Sequence, residues 1–143
     1  GRLDEEPENV FKVSSRINST WGGNLVDMLR CQRYLEIIEE EKLVDHAGRV
    51  GAHLLARLQR MQAEMPEMLS NARGRGLMCA LDLPDTATRD RVADKAYELG
   101  LMILTCGHVG LRFRPPLDVT PAEVDEGLDI LGRAVALARA KSA

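Results

Sequence analysis

Two arginines and one hydroxyl-bearing glycine loop are the residues of this 143-residue sequence best suited to chemistry. Arg112 and Arg114 lie on or just after the apolar run Val109–Phe113, and two-residue alternation puts both side chains on one face. A guanidinium on a partly buried strand needs an anion. Its planar fork fits a substrate carboxylate bidentately, although an ion pair with one of the chain's own 22 acids would satisfy it too. The loop Asn18-Ser19-Thr20-Trp21-Gly22-Gly23-Asn24 sets hydroxyls beside paired glycines just ahead of a helix. That arrangement offers a phosphate side-chain donors, close backbone approach and the positive end of a helix dipole. Taken alone, a helix cap and turn is the simpler reading of the same residues.

Other candidates are weaker. His46 and His53 are seven apart, whereas metal-binding pairs on a helix use a spacing of four, so both read as surface histidines. Cys106 and His108 supply two ligands where a structural zinc site needs four, and no metal is expected. Gly22-Gly23 and Gly74-Arg75-Gly76 match neither the dinucleotide nor the phosphate-loop fingerprint, and no Gly-x-Ser-x-Gly elbow is present. Met61, Met65 and Met68 fall at helical spacing and read as core filling.

The elements that must position these residues form a helical half followed by an alternating half. Val10–Val13 reads as a short strand and Ser14–Asn24 as a loop. From Leu25, Met28, Leu29, Leu35 and Ile38 fall near a 3.6 period and predict a helix to about Glu40. Ala47, Val50, Leu54, Leu58, Met61 and Met65 predict a second helix, stopped by Pro66. The turn Arg73–Gly76 leads into a buried strand over Gly76–Leu83. Ala87–Leu99 reads as a helix closed by Gly100. Leu101–Thr105 and Val109–Phe113 read as strands, the second ended by Pro115 and Pro116. Thr120 as cap, Pro121 in the first turn and Glu123 completing a capping box start a last helix, with Val124, Leu128, Leu131 and Val135 inward. The fold class expected is α/β, with an α+β small domain of helices packed on a small, largely antiparallel sheet.

Composition narrows the function further. The net charge of −3, from 19 basic and 22 acidic residues, implies no general affinity for nucleic acid or anionic membrane. With 3% aromatic residues there is almost nothing to stack single-stranded bases. Apolar runs are far shorter than the roughly 20 residues that span a bilayer, and Gly1 opens no signal sequence. Cys31, Cys79 and Cys106 are an odd, widely spaced set that suits a reducing compartment, so the cytoplasm is expected. The abrupt start and the acidic, aperiodic Gly1–Asn9 read as a connector in something longer.

Three segments together, Ser19-Thr20-Trp21-Gly22-Gly23-Asn24, Arg73-Gly74-Arg75-Gly76-Leu77-Met78 and Leu111-Arg112-Phe113-Arg114-Pro115-Pro116-Leu117, resemble in order and spacing the C-terminal part of class III aminotransferases. These are pyridoxal 5'-phosphate enzymes of fold type I. Trp21 and Arg114 make the chain look most like the branch that transfers the 6-amino group of L-lysine to 2-oxoglutarate, giving 2-aminoadipate 6-semialdehyde and glutamate. Branches acting on ornithine, acetylornithine or 4-aminobutyrate commonly carry Tyr or His, and a small residue, at those two positions. The resemblance implies that Thr20, supported by Ser19, contacts the cofactor phosphate across a homodimer interface. It implies that Arg112 binds the α-carboxylate of lysine and of 2-oxoglutarate, and that Asn18 approaches substrate. It also implies that residues 1–40 end the large cofactor-binding domain and its linking helix, and that 41–143 form the C-terminal small domain. The family's cofactor-binding lysine precedes the phosphate-contacting threonine. Lys12, the only lysine before Thr20, sits in no matching motif, so this chain reads as catalytically incomplete without the rest of its polypeptide. A stand-alone, non-catalytic module that binds a carboxylate or a partner is the other reading.

Overall fold

The computed structural model describes residues 5–7, 9, 10, 12 and 19–140. The chain divides into two compact units, Gly1–Glu40 and Glu41–Ala143.

In the first unit the main element is α1 (Leu25–Glu40). Its N-cap is Asn24, whose Oδ1 accepts from the amides of Val26 (2.9 Å) and Asp27 (3.3 Å), satisfying two of the amides a helix start leaves unpaired. Arg33 donates to Glu36 at 3.0 Å and reaches Glu40 at 3.4 Å, and Gln32 donates to Glu36 at 2.9 Å. Those bonds hold the Glu36 carboxyl below the usual carboxylate range. No residue of α1 is buried. Its local bonds are therefore exposed ones, each adding a few tenths of a kcal/mol. The short strand expected at Val10–Val13 is not formed where it can be followed. Val10 and Lys12 lie in turns, with the Lys12 amide donating to the Asn9 carbonyl at 3.1 Å; Phe11 and Val13 lie outside the described residues.

The second unit is a two-layer α+β fold with element order α2 (Leu43–Glu64), β1 (Ser70–Arg75), β2 (Met78–Asp82), α3 (Thr86–Glu98), β3 (Leu104–Cys106), β4 (Gly110–Phe113) and α4 (Pro121–Ala140). The strands form one antiparallel sheet in the order β1-β2-β4-β3. The expected stripe of α2 is the observed one: Val50, Leu54, Leu58 and Met61 are buried, with Ala47 and Met65 packed at its ends. Cys79, Leu81 and Leu111 point from the sheet into the same core, joined by Val92 and Ala96 of α3 and Val124, Leu128, Leu131 and Val135 of α4. Each fully buried leucine or valine contributes about 1.5–3 kcal/mol.

One expectation is corrected here. Arg73-Gly74-Arg75 is not a turn but the end of β1, and Gly76-Leu77 makes the turn of a β1–β2 hairpin. The three residues are polar or glycine, so no apolar alternation marks them as a strand. They become one by pairing, Arg73 with Ala80 and Arg75 with Met78. That hairpin turn sits hard against α2, where a Cβ on Gly51 would come within 2.1 Å of the Gly76 carbonyl carbon.

Helix ends match their sequence signals. Thr120 and Glu123 form the capping box, the Glu123 carboxylate accepting from the Thr120 amide at 2.8 Å and the Thr120 hydroxyl from the Glu123 amide at 3.3 Å. Gly100 adopts φ 96°, with Leu101 N–H donating to the Ala96 carbonyl at 2.8 Å, the left-handed closure expected of it.

Candidate active site

Strand register decides where Arg112 points. Leu111 pairs with Leu81, both fully buried on the helix side. Arg112 pairs with Ala80 on one flank and Leu104 on the other, so by alternation it leaves the face opposite to Leu111. Ala80 is small and leaves the guanidinium room. Arg112 Nε is buried and has no hydrogen-bond partner, a state that costs about 1–3 kcal/mol until an acceptor arrives.

Arg112 and Arg114 both line a cavity of about 280 Å³ whose walls are otherwise mainly apolar, among them Leu101, Phe113 and Leu128. The one acid on its wall, Glu123, is already committed. Its carboxylate accepts from the amide and hydroxyl of Thr120, both at 2.8 Å, and those bonds hold it below the usual carboxylate range. Among the described residues the cavity is therefore lined by two arginines and no uncommitted acid, which suits a carboxylate ligand.

In the first unit, Ser19 and Thr20 are exposed at a turn closed by the Gly22 amide donating to the Ser19 carbonyl at 3.0 Å. Gly23 takes φ 77°, a left-handed value that glycine adopts without strain. A Cβ on Gly22 would lie 3.1 Å from Ser19 Oγ, so glycine keeps the hydroxyl side of the turn clear. At the helix end Asn24 occupies the amides of Val26 and Asp27, so these two are not open to an anion. Among the side-chain donors of the loop are its two hydroxyls. They take no hydrogen-bond partner among the described residues, and this fits a phosphate. Asn18 lies outside the described residues.

The histidines are not bare surface groups. His46 Nε2 donates to the Val119 carbonyl at 2.8 Å, and His53 Nε2 lies 2.8 Å from Asp125, which also accepts from Arg57 at 2.5 Å. Both therefore tie α2 to α4 or to the segment before it. Their spacing of seven puts them on one face of α2, but only the fold shows what that face meets. Cys79 is buried, and burial pushes its thiol up, away from reactive thiolate character. Among the described residues no group of three or more His, Cys, Asp or Glu side chains could hold a metal. Sequence reasoning missed Ala80, Leu104 and Glu123 as neighbours of the arginine cavity, because pairing and packing rather than motif bring them there.

Known proteins share both the sequence and the fold of this chain. The L-lysine-epsilon aminotransferase of Amycolatopsis lactamdurans is 52% identical over 137 residues, covering 95% of this chain and 30% of that protein. The mitochondrial 4-aminobutyrate aminotransferase of Mus musculus is 38% identical over 102 residues, covering 71% of the chain and 20% of that protein. The solved structure of a lysine aminotransferase from M. tuberculosis superposes with a TM-score of 0.87 at 45% identity, over 96% of this chain and 32% of that one. The chain thus spans about a third of the length of the proteins it matches. Its folded part corresponds to their C-terminal portion. Residues 3–135 match the family described as Aminotransferase class-III, and the chain belongs to that family.

Proposed function

We propose that this chain is the C-terminal part of an L-lysine 6-aminotransferase, which moves the ε-amino group of L-lysine to 2-oxoglutarate and releases 2-aminoadipate 6-semialdehyde and glutamate. The observation that carries the reading is Arg112: a strand-borne guanidinium with a buried, unpartnered Nε at a cavity that holds no free acid. The higher identity to L-lysine-epsilon aminotransferases than to 4-aminobutyrate aminotransferases supports lysine as the donor.

In this reading Arg112 acts by position. It grips the α-carboxylate of lysine, and anchoring that end sets the distant ε-amine at the reaction centre. The same grip serves 2-oxoglutarate when it returns for the amine. Thr20 and Ser19 hold the phosphate of pyridoxal 5'-phosphate, with Asn18 beside the substrate. When bound, that cofactor supplies the electron sink for the chemistry. The lysine that attaches it belongs to the preceding polypeptide, so residues 1–143 alone are inactive. Residues 1–40 end the large domain and 41–143 form the small one. The exposed apolar surface of Trp21, Leu25, Val26 and Met28 supports a homodimer in which the phosphate loop serves the neighbouring subunit. No helix among the described residues is long and apolar enough to cross a membrane. That, with Cys31, Cys79 and Cys106 all free thiols, supports a cytoplasmic location.

Steady-state kinetics of the full-length enzyme test the assignment. Arg112→Ala is expected to raise KM for both lysine and 2-oxoglutarate about 100-fold, the loss of one charge-assisted carboxylate contact of about 2–3 kcal/mol. Unchanged KM values would remove the role. Thr20→Ala is expected to release the cofactor more readily on dialysis, and undiminished retention would count against the phosphate contact.

A further inference from the structure

The two edges of the sheet are treated differently. The β1 edge is blunted. Its register shifts between Ser70 and Arg73, Asn71 is left-handed at φ 52°, and the Ala72 amide is drawn off to Gln62 of α2 at 2.8 Å. Arg73 and Arg75 add charge. These are the devices by which proteins keep an edge from pairing.

The β3 edge has none of them. The segment Leu101-Met102-Ile103-Leu104-Thr105-Cys106 contains no charge, proline or glycine, and its pairing with β4 shows no register shift. Sequence alternation predicts a strand from Leu101, yet the ladder begins only at Leu104. Over Leu101–Leu104 burial still alternates as in a strand: Leu101 and Ile103 are half-buried, while Met102 is 79% and Leu104 47% exposed. All four line the cavity beside Arg112. An extended, apolar, unprotected edge next to an apolar hole is the geometry of strand addition, in which backbone bonds give affinity and alternate side chains fill pockets.

We infer that Leu101–Cys106 is the docking edge for a β-strand from the polypeptide that precedes Gly1, one of whose apolar side chains packs on the Leu101–Leu104 wall and leaves the arginine end of the cavity open to the carboxylate. The occupant follows from length, because about two thirds of each matched protein lies outside this chain. The inference rests on the reading of the chain as the C-terminal part of a longer enzyme. It also adds a function for the edge: since Leu104 pairs with Arg112, the docked strand walls the carboxylate site and excludes water from it.

The full-length protein, without substrate, provides the test. Met102 is replaced by p-benzoyl-phenylalanine and the photo-crosslinked peptide is identified by mass spectrometry. A peptide from the sequence before Gly1 of the same chain is expected. A crosslink to the same segment of a second copy, or to solvent alone, overturns the inference. Hydrogen exchange on the unmodified protein gives an independent reading. Met102 and Ile103 take no backbone hydrogen bond among the described residues, so whichever of these two amides points away from β4 is expected to exchange at least 100-fold more slowly than the amides of exposed Leu117 and Asp118, and equal rates would overturn the docking. Neither readout depends on turnover, so loss of the lysine assignment and loss of the docked strand are told apart.

Discussion

The two units are stabilised by different means. In the second, fully buried Leu58, Leu81, Leu111 and Leu131 knit three helices to one face of a sheet. In the first, α1 carries Leu25, Val26, Met28, Leu29 and Leu35 with most of each side chain exposed, and its bonds are a cap and surface ion pairs. Arg112, the arginine proposed to bind a carboxylate, thus rides on a scaffold that makes its own core. The loop proposed to hold a phosphate precedes a helix whose apolar side chains are exposed. A helix in which no residue is buried gets little of the tertiary packing that supplies most helical stability.

Substitutions can break or sharpen this contrast. Leu58→Ala, at a fully buried position, is expected to destabilise the 143-residue chain by about 4 kcal/mol in urea unfolding; a loss under 1 kcal/mol would deny that the second unit has a tight core. Gly51→Ala drives a Cβ into the Gly76 backbone and is expected to cost about 3 kcal/mol by overpacking. Thr120→Ala removes half of the capping box and should cost about 1 kcal/mol. Acid should act on the same unit. The Glu123 and Asp85 carboxyls are held below their ordinary values of 4.5 and 3.8 by bonds from Thr120 and Thr88. Groups with depressed folded pKa stabilise above those values and lose the contribution as pH falls through the folded ones. The melting temperature is therefore expected to drop below about pH 4.5, and Glu123→Gln should flatten that drop. The smallest change is expected from Leu29→Ala, within about 0.5 kcal/mol in the 143-residue chain. In full-length enzyme the same change is expected to cost about 2 kcal/mol or more if α1 is covered there; equal values in both would erase the contrast between the units.

Much of the second unit was legible residue by residue. The helical stripes of α2 and α4, the capping box at Thr120 and the glycine stop at Gly100 are local codes, read from spacing and side-chain chemistry within one or two turns. The β1 strand was hidden because Arg73-Gly74-Arg75 acquires its extended form from Met78–Ala80 opposite, not from its own composition. The histidines were misread for a related reason: the partners of His46 and His53 lie 73 and 72 residues away in sequence.

The chemistry divides along the same line. Residue types and order alone make Ser19, Thr20 and Arg112 candidate anion ligands beside simpler cap and ion-pair readings, and they carry the resemblance to class III aminotransferases, because a guanidinium or a hydroxyl has its donor capacity wherever it stands. Tertiary structure decides which face of the sheet Arg112 leaves, that its Nε goes unpaired, and that one edge is blunted while the other is open. Those outcomes depend on pairing and burial between distant segments, which no local pattern encodes.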